Sequence, residues 1–155
     1  MITQKMKYAL KALSVLAQAR AEGGGALRIE EIARRSGTPK RFLEHILLDI
    51  RNAGLIASVR GRSGGYALVR DPATVTISGL LRLIDGPMAP LPCLSRHSYE
   101  RCADCVDETS CRIRHVFGEV FASYLLLVES LTLADLVRAP DAVEQALAVA
   151  PPRVA

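Results

Sequence analysis

The chain has 155 residues, of which half are apolar and 23% are charged, and its net charge is +4. This length accommodates one domain, or a small domain with an appendage, around a buried core, and the composition excludes a disordered chain. Eight Lys or Arg residues but only two acidic residues lie between Arg34 and Arg70, so this segment alone carries +6. A polyanion is therefore a candidate partner, although scattered solvated arginines would give the same count.

The N-terminal segment MITQKMKYALKALSVLAQARA predicts an amphipathic helix. Lys11 interrupts its apolar run, so the segment is not typical of a secretory signal. Apolar side chains recur instead along one helical face, at Met6, Ala9, Leu10, Leu13 and Leu16. No apolar run reaches the length of a membrane span. We therefore expect a cytoplasmic protein with reduced thiols and no membrane partner.

Two short helices joined by a tight turn come next. The first, LRIEEIARRSG, has Gly37 as its stop. The second, TPKRFLEHILLDIRNAG, is expected to begin with Thr38 as the N-cap and Pro39 at the first helical position, and to end at Gly54. Its apolar stripe contains Phe42, Leu43, Ile46, Leu47 and Ile50. This arrangement is typical of a helix-turn-helix.

A short β-hairpin follows the second helix. Residues 55–60 and 66–69 predict two strands joined by a glycine-rich tip over residues 61–65, and Pro72 stops the second strand. The segment TISGLLRLIDG then predicts a short helix that ends at Gly86. A helix-turn-helix followed by a basic, glycine-tipped hairpin has the layout of a winged helix.

The C-terminal half predicts a loop and a long helix. The helix that follows Cys111 is apolar over more than one face, so we expect one side in its own domain and another against a second subunit. Thr132 is the expected cap of a last helical turn. The expected fold is mostly α with a small β-hairpin wing. It consists of a winged helix-turn-helix domain (1–86), a cysteine-rich sensor loop (87–111), a dimerisation helix with a C-terminal turn (112–138) and a tail (139–155).

The winged-helix layout indicates which residues would read DNA. The first turn of the second helix can enter a major groove, and the hairpin tip can enter a minor groove. The candidate residues are Pro39, Lys40, Arg41 and Glu44, beside His45, and in the wing Arg60, Gly61, Arg62, Ser63, Gly64, Gly65 and Tyr66. Singly, exposed cations and glycine-rich tips are common without a DNA partner. Their order and joint basicity favour double-stranded DNA.

All four cysteines lie in the polar segment CLSRHSYERCADCVDETSC, and several kinds of site compete for them. Zinc modules usually offer two closely spaced pairs, but only Cys102 and Cys105 form one here. Disulfides are uncommon without export, and a thioredoxin-like site needs a βαβ context that is not visible. An iron–sulfur cluster needs soft thiolates from a flexible loop, which this segment offers.

The sequence does not predict an enzyme. It has no paired carboxylates, no Ser/His/Asp set and no phosphate-binding loop, because GRSGG lacks the strand-to-helix context of a nucleotide loop. A small electron carrier would use the same cysteines but would not need a basic wing.

The order ITQKMKYALKAL, EIARRSGTPKRFLEHIL, IRNAGLIASVRGRSGGYAL, a cysteine cluster and TLADLV resembles the IscR/NsrR-type (Rrf-type) winged-helix regulators over residues 2–138. The wing motif is the most specific part of the match. The resemblance implies a homodimeric bacterial transcription factor that binds double-stranded DNA. It also implies an iron–sulfur cluster that senses cluster supply, iron, nitric oxide or oxidants.

The resemblance further implies which residues would bind the cluster. Cys93, Cys105 and Cys111 match the family's three cysteines, and Cys102 is an additional thiol. Where the best-known relatives place a histidine three residues after the last cysteine, this chain has Arg114. Others use an acidic residue of the partner's first helix, but here TQKMKY offers only lysines. Candidates for the fourth ligand are Cys102, then His115 or His97.

A [2Fe–2S] cluster is preferred to a [4Fe–4S] cluster. The alternatives to an iron–sulfur regulator are a DNA-binding regulator that works as a thiol/disulfide redox switch or contains zinc, without an iron–sulfur cluster. A small electron carrier is the less favoured alternative.

Overall fold

The computed structural model describes residues 2–61 and 64–138. Six helices and one two-stranded sheet follow one another along this part of the chain: α1 (Gln4–Ala21), α2 (Ile29–Ser36), α3 (Lys40–Asn52), β1 (Ile56–Val59), β2 (Gly65–Leu68), α4 (Ile77–Ile84), α5 (Arg112–Ser130) and α6 (Leu133–Arg138). Two short 3₁₀ turns lie at Pro72–Thr74 and Pro92–Leu94. The predicted fold, mostly helical with a small hairpin wing, is confirmed. The predicted tail over residues 139–155 lies outside the described residues.

The core lies between the first three helices. The largest side chains that are almost fully buried there are Met6, Leu13, Leu16, Ile32, Leu43, Ile46, Leu47 and Ile50. Helix α1 begins after Thr3, whose hydroxyl accepts a hydrogen bond from the Met6 N–H at 3.1 Å. The sequence-predicted apolar face of α1 is therefore the core-facing side, with Leu10 half-buried at its edge.

The turn between α2 and α3 differs from the prediction at its second helix. Gly37 adopts a left-handed conformation with φ 61° and ends α2, as expected. The N-cap of α3 is Pro39 and not Thr38, because the chain turns helical only at Lys40. Thr38 is 2% exposed, and its hydroxyl has no partner in the described part of the chain. The side chain of Thr38 therefore fills the turn instead of capping the helix.

The apolar stripe of α3 is narrower than predicted. Leu43, Ile46, Leu47 and Ile50 are buried, but Phe42 is 43% exposed. Leu43 and its three companions already cover the face towards α1, so Phe42 lies at the border of that face and reaches solvent.

The wing is an antiparallel hairpin in which Ile56 pairs with Leu68 and Val59 with Gly65. A third segment joins it, because Leu27 and Tyr66 exchange two backbone hydrogen bonds of 2.9 and 2.8 Å. The first strand is shorter than predicted, whereas the second has the predicted length but begins one residue earlier, at Gly65. Leu55 lies just outside the paired strands, and its carbonyl accepts a hydrogen bond of 3.0 Å from the Val69 N–H.

The chain returns to the winged helix after α5. The Leu133 N–H donates to the Val75 carbonyl at 2.8 Å, and the Leu133 side chain is fully buried. Thr132 caps α6, as predicted: its N–H donates to Asp135 at 2.9 Å, and the Asp135 N–H donates to the Thr132 hydroxyl at 3.3 Å. This reciprocal cap defines the start of α6, which packs against α1.

Helix α5 is apolar on more than one side, as predicted. Leu125 and Val128 are buried within the chain. A second set of apolar side chains is exposed: Ile113, Val116, Phe117, Val120, Tyr124, Leu126 and Leu127. None of the described helices is both long and apolar enough to span a membrane.

Candidate DNA interface and cysteine cavity

The candidate DNA-binding residues of α3 lie together at its N-terminal end. Pro39, Lys40, Arg41 and Glu44 are all exposed, and so is His45. The buried stripe of α3 holds this end away from the core, because it anchors the opposite face of the same helix. The backbone N–H groups of the first turn add partial positive charge at this end. The arrangement offers cations, one carboxylate and a helix N-terminus to a partner outside the protein.

Lys40 is already engaged within the protein. Its Nζ lies 2.6 Å from Glu30 Oε1 on α2. The hydrogen bond with Glu30 raises the pKa of Lys40, and the same bond lowers the pKa of Glu30. Both side chains are at least half exposed, so water and salt screen the pair. An anionic partner at this end of α3 would therefore compete with Glu30 for Lys40.

Arg41 lies over an aromatic ring. Its guanidinium carbon is 4.8 Å from the centroid of Phe42, and the ring of Phe42 packs 5.5 Å from that of Tyr8 on α1. A cation over a ring gains electrostatic attraction and loses freedom of movement. Phe42 therefore orients Arg41 at the exposed end of α3. The sequence prediction placed Phe42 in the core, although its position just before four regularly spaced apolar residues was a signal that it borders the stripe.

The wing places its glycines where the backbone approaches other segments. A Cβ at Gly65 would lie 2.2 Å from the Leu27 carbonyl oxygen, and one at Gly64 would lie 2.5 Å from that of Val59. Gly65 also has a backbone φ of 152°, which residues with a side chain rarely adopt. The close approach of the Leu27 backbone therefore accounts for a glycine at position 65, whether or not the wing contacts DNA. Among the candidates, Arg60 and Gly61 are exposed and Tyr66 is half-buried, whereas residues 62 and 63 lie outside the described part.

The four cysteines line one cavity of about 380 Å³ at the start of α5. All four are free thiols; Cys93 is buried and Cys102, Cys105 and Cys111 are half-buried. Neither His97 nor His115, the two predicted alternatives for a fourth ligand, lines this cavity, whereas Cys102 does.

Arg114 links the cavity to the rest of the loop. Its guanidinium donates to the Cys93 carbonyl at 3.4 Å and lies 3.7 Å from the Glu108 carboxylate, which also accepts from the Tyr99 hydroxyl. The Arg114 Nε is buried without a partner in the described residues. The Arg114 backbone N–H donates to Cys111 Sγ at 3.4 Å, so Cys111 is the N-cap of α5.

Two other side chains order the loop between the cysteines. The guanidinium of Arg101 donates to the carbonyls of Cys105 and Val106 at 3.1 and 2.9 Å. Asp107 accepts from the backbone N–H groups of Thr109 and Ser110 at 3.1 and 3.0 Å. Hydrogen bonds from these two residues lower the pKa of Asp107 well below its ordinary range.

The surroundings of the Cys102 thiol raise its pKa and so favour the neutral form. Burial raises its pKa, and a hydrogen bond with Cys93 raises it further. The charges of Cys93, Asp104 and Cys111 act in the same direction. This is the pattern expected of thiols crowded around one cavity, where removal of one proton makes the next harder to remove.

The donor chemistry of the cavity fits an iron–sulfur cluster, because four free thiols are the soft ligands that such clusters use. In the described residues, no three Cys, His, Asp or Glu side chains are already grouped as a metal site. Ligation would therefore require the loop to move the thiols closer together.

Comparison with known proteins assigns the chain to a family. It matches the Rrf2 family, described as iron-dependent transcriptional regulators, over residues 2–139. It is 68% identical over 140 residues to a protein of Rhodobacter capsulatus named as an rrf2-like HTH-type transcriptional regulator, covering 90% of this chain and 93% of that protein.

Two solved structures are similar over most of the chain. CymR, the global cysteine regulator of B. subtilis, matches with a TM-score of 0.73 at 28% identity. The match covers 91% of this chain and 98% of the CymR chain. IscR of T. potens matches with a TM-score of 0.69 at 26% identity, and the match covers 93% of this chain and 90% of the IscR chain. The predicted resemblance to IscR/NsrR-type regulators is confirmed. The chain belongs to the Rrf2 family and is a DNA-binding, winged-helix transcriptional regulator, not an enzyme.

Proposed function

We propose that this regulator acts in the cytoplasm and binds operator DNA with the N-terminal end of α3 in a major groove and the wing against a neighbouring minor groove. The supporting observation is that Arg41 and Glu44, the side chains able to read base edges, are exposed at the end of α3. Arg60 is exposed at the wing, where it can neutralise phosphate or enter the minor groove.

Equilibrium binding to operator DNA, measured at several salt concentrations, tests this orientation. Arg41→Gln is expected to weaken binding at least about fivefold, since one base contact contributes about 1–3 kcal/mol. Arg60→Gln is expected to reduce the salt slope by about one. Arg51→Gln removes the same charge from the last turn of α3 and is the control. Equal losses in all three variants would contradict the proposed orientation.

We propose that α5 pairs two copies of the chain. Val116, Val120 and Leu127 are 60%, 62% and 67% exposed and follow one another at intervals of four and seven positions, so they lie on one apolar side of the helix. This side is separate from that of the buried Leu125 and Val128. A second copy of the same helix would remove such a surface from water and would set the spacing between two recognition helices.

Light scattering coupled to size-exclusion chromatography tests the dimer. Val120→Glu is expected to yield a monomer that binds a full operator far more weakly. Ala122→Glu introduces the same charge on the opposite side of α5 and should leave the dimer intact. A monomeric wild-type chain, or a Val120→Glu dimer, would contradict the proposal.

We propose that the cysteine cavity binds an iron–sulfur cluster and makes the protein a sensor of cluster status or of redox or nitrosative stress. Cys93, Cys105 and Cys111 would hold it, with Cys102 as the fourth ligand, and a [2Fe–2S] cluster is preferred. When bound, it would supply a centre that iron, oxidants and nitric oxide can alter. Arg101 and Asp107 order the backbone between the ligands, and Arg114 joins both ends of the loop to α5.

A thiol/disulfide switch is the second candidate, because Cys93 and Cys102 are free thiols that line the same cavity and the fold is similar to that of a cysteine regulator. Oxidation by a peroxide would join the two sulfurs, with both thiol protons and two electrons passing to the peroxide. Peptide mass mapping of iron-free protein after peroxide treatment tests it. A Cys93–Cys102 disulfide that changes DNA affinity would favour the switch, and no disulfide would exclude it. Bound zinc in a colourless protein would instead indicate the zinc regulator.

A further inference from the structure

A second cavity lies apart from the cysteines, between the end of α4, the connector that follows it, and the middle of α5. Its volume is about 240 Å³. Met88, Phe121 and Leu125 contribute apolar lining, whereas Arg82, Arg96 and His97 contribute nitrogen donors. The volume is below that of most drug-sized pockets, so the cavity suits a smaller molecule.

The charged groups of this cavity are all of one sign. Two arginines, which stay protonated at any physiological pH, line it together with His97, and none of its lining residues is acidic. Arg96 forms no ion pair within residues 2–61 and 64–138. Charge complementarity therefore selects an anion, and the apolar lining selects one with an apolar body.

Arg82 connects the cavity to the contact between α4 and α5. Its guanidinium lies 2.6 Å from the Glu129 carboxylate of α5 and 3.3 Å from the Ser78 hydroxyl within α4. The Arg82–Glu129 ion pair thus joins α4 to α5. Helix α4 in turn packs against α1 and α3 of the winged helix. An anion that accepts hydrogen bonds from Arg82 competes with Glu129 for the same guanidinium.

We infer that this cavity is an effector site for a small organic carboxylate with an apolar body. The carboxylate binds Arg96 and Arg82, and the body packs against Met88, Phe121 and Leu125. Binding weakens the Arg82–Glu129 pair and so changes how α5 is held against the winged helix. Ligand binding does not depend on the proposed function, whereas its effect on DNA affinity rests on it. The two are therefore measured separately.

The binding test uses benzoate as the probe and the full-length purified protein, followed by calorimetry and by thermal unfolding. Benzoate is expected to bind and to raise the unfolding temperature, whereas benzyl alcohol and benzylamine, which share the ring but lack the carboxylate, are not. Arg96→Gln, a change of an exposed residue, is expected to weaken benzoate binding about tenfold or more, as the loss of a charge-assisted hydrogen bond would.

Arg112→Gln is the matched control, because it removes an exposed arginine of α5 that does not line the cavity. Equal binding of benzoate and benzyl alcohol, or equal effects of Arg96→Gln and Arg112→Gln, would overturn the site. Binding to monomeric Val120→Glu protein but not to the wild type would show that a second copy fills the cavity, and would overturn it too. If benzoate binds through Arg96 but leaves operator affinity unchanged, the effector role is wrong and only the site stands.

Discussion

The backbone N–H of Arg114 donates a hydrogen bond of 3.4 Å to Cys111 Sγ, so the last cysteine of the loop caps the long helix α5. The guanidinium of the same arginine donates to the carbonyl of Cys93, the first cysteine. Both ends of the cysteine loop therefore meet the first turn of α5. We therefore expect a chemical change at these thiols to act directly on the helix that carries the exposed apolar side.

Two substitutions at Cys111 separate helix capping from metal binding. Serine is among the best N-cap residues but is not a soft ligand, whereas alanine is neither. In iron-free protein, Cys111→Ser is expected to be at least as stable as the wild type, and Cys111→Ala less stable by about 0.5–1 kcal/mol. Both are expected to lose iron. Thermal unfolding and iron content measure the two effects, and full iron retention by the serine variant would exclude Cys111 as a ligand.

Glu30→Gln is expected to strengthen operator binding. The carboxylate that now pairs with Lys40 would be gone, so the ammonium group would be available to a phosphate. We expect affinity to rise about two- to fivefold and the salt slope to steepen by up to about one. Glu31→Gln, which frees Arg34 on the same helix, is the control. An affinity no higher than that of the Glu31→Gln control would show that Lys40 does not reach the DNA.

Gly65→Ala is expected to destabilise the wing. The added Cβ would clash with the Leu27 backbone, and the φ of 152° disfavours any side chain. The loss should be about 1 kcal/mol or more. Gly25→Ala, where an added Cβ meets nothing within 4 Å, is the comparison and should be close to neutral. Denaturant unfolding measures both, and equal stability of the two variants would contradict the tight contact at Leu27.

Asp135→Asn tests the cap that fixes α6. Hydrogen bonds with Thr132 lower the pKa of Asp135 in the folded protein. A lowered folded-state pKa gives stability that is present above the unfolded carboxyl pKa of about 4 and is lost as the pH falls through the folded value. The variant is therefore expected to be less stable at pH 7, and its difference from the wild type is expected to shrink as the pH falls below about 4. Denaturant unfolding against pH measures this, and a pH-independent difference would contradict it.

The sequence predicts well those features that depend on local signals. Gly37 ends α2 because the backbone adopts a left-handed conformation there, which glycine accommodates without strain. The spacing of Leu43, Ile46, Leu47 and Ile50 predicts the buried face of α3. Thr38 was assigned wrongly because a threonine before a helix usually caps it, and only the tertiary packing shows that this one is buried.

Features formed by distant segments could not be predicted. The cysteines were identified by residue type, but the roles of Arg114 and Glu108 depend on how the loop folds onto α5. The second cavity combines residues from position 82 to position 125, and no sequence pattern connects them.

The most direct test of the central claim is iron and acid-labile sulfide analysis of protein purified without oxygen, together with its visible spectrum and its operator affinity. If the cysteine cavity holds a [2Fe–2S] cluster, the protein should be a coloured dimer with iron and sulfide in equal amounts. Both should be lost in Cys93→Ser and Cys105→Ser, and the operator affinity should change when they are lost. A colourless, iron-free protein that still binds its operator in a thiol-dependent way would contradict the central claim.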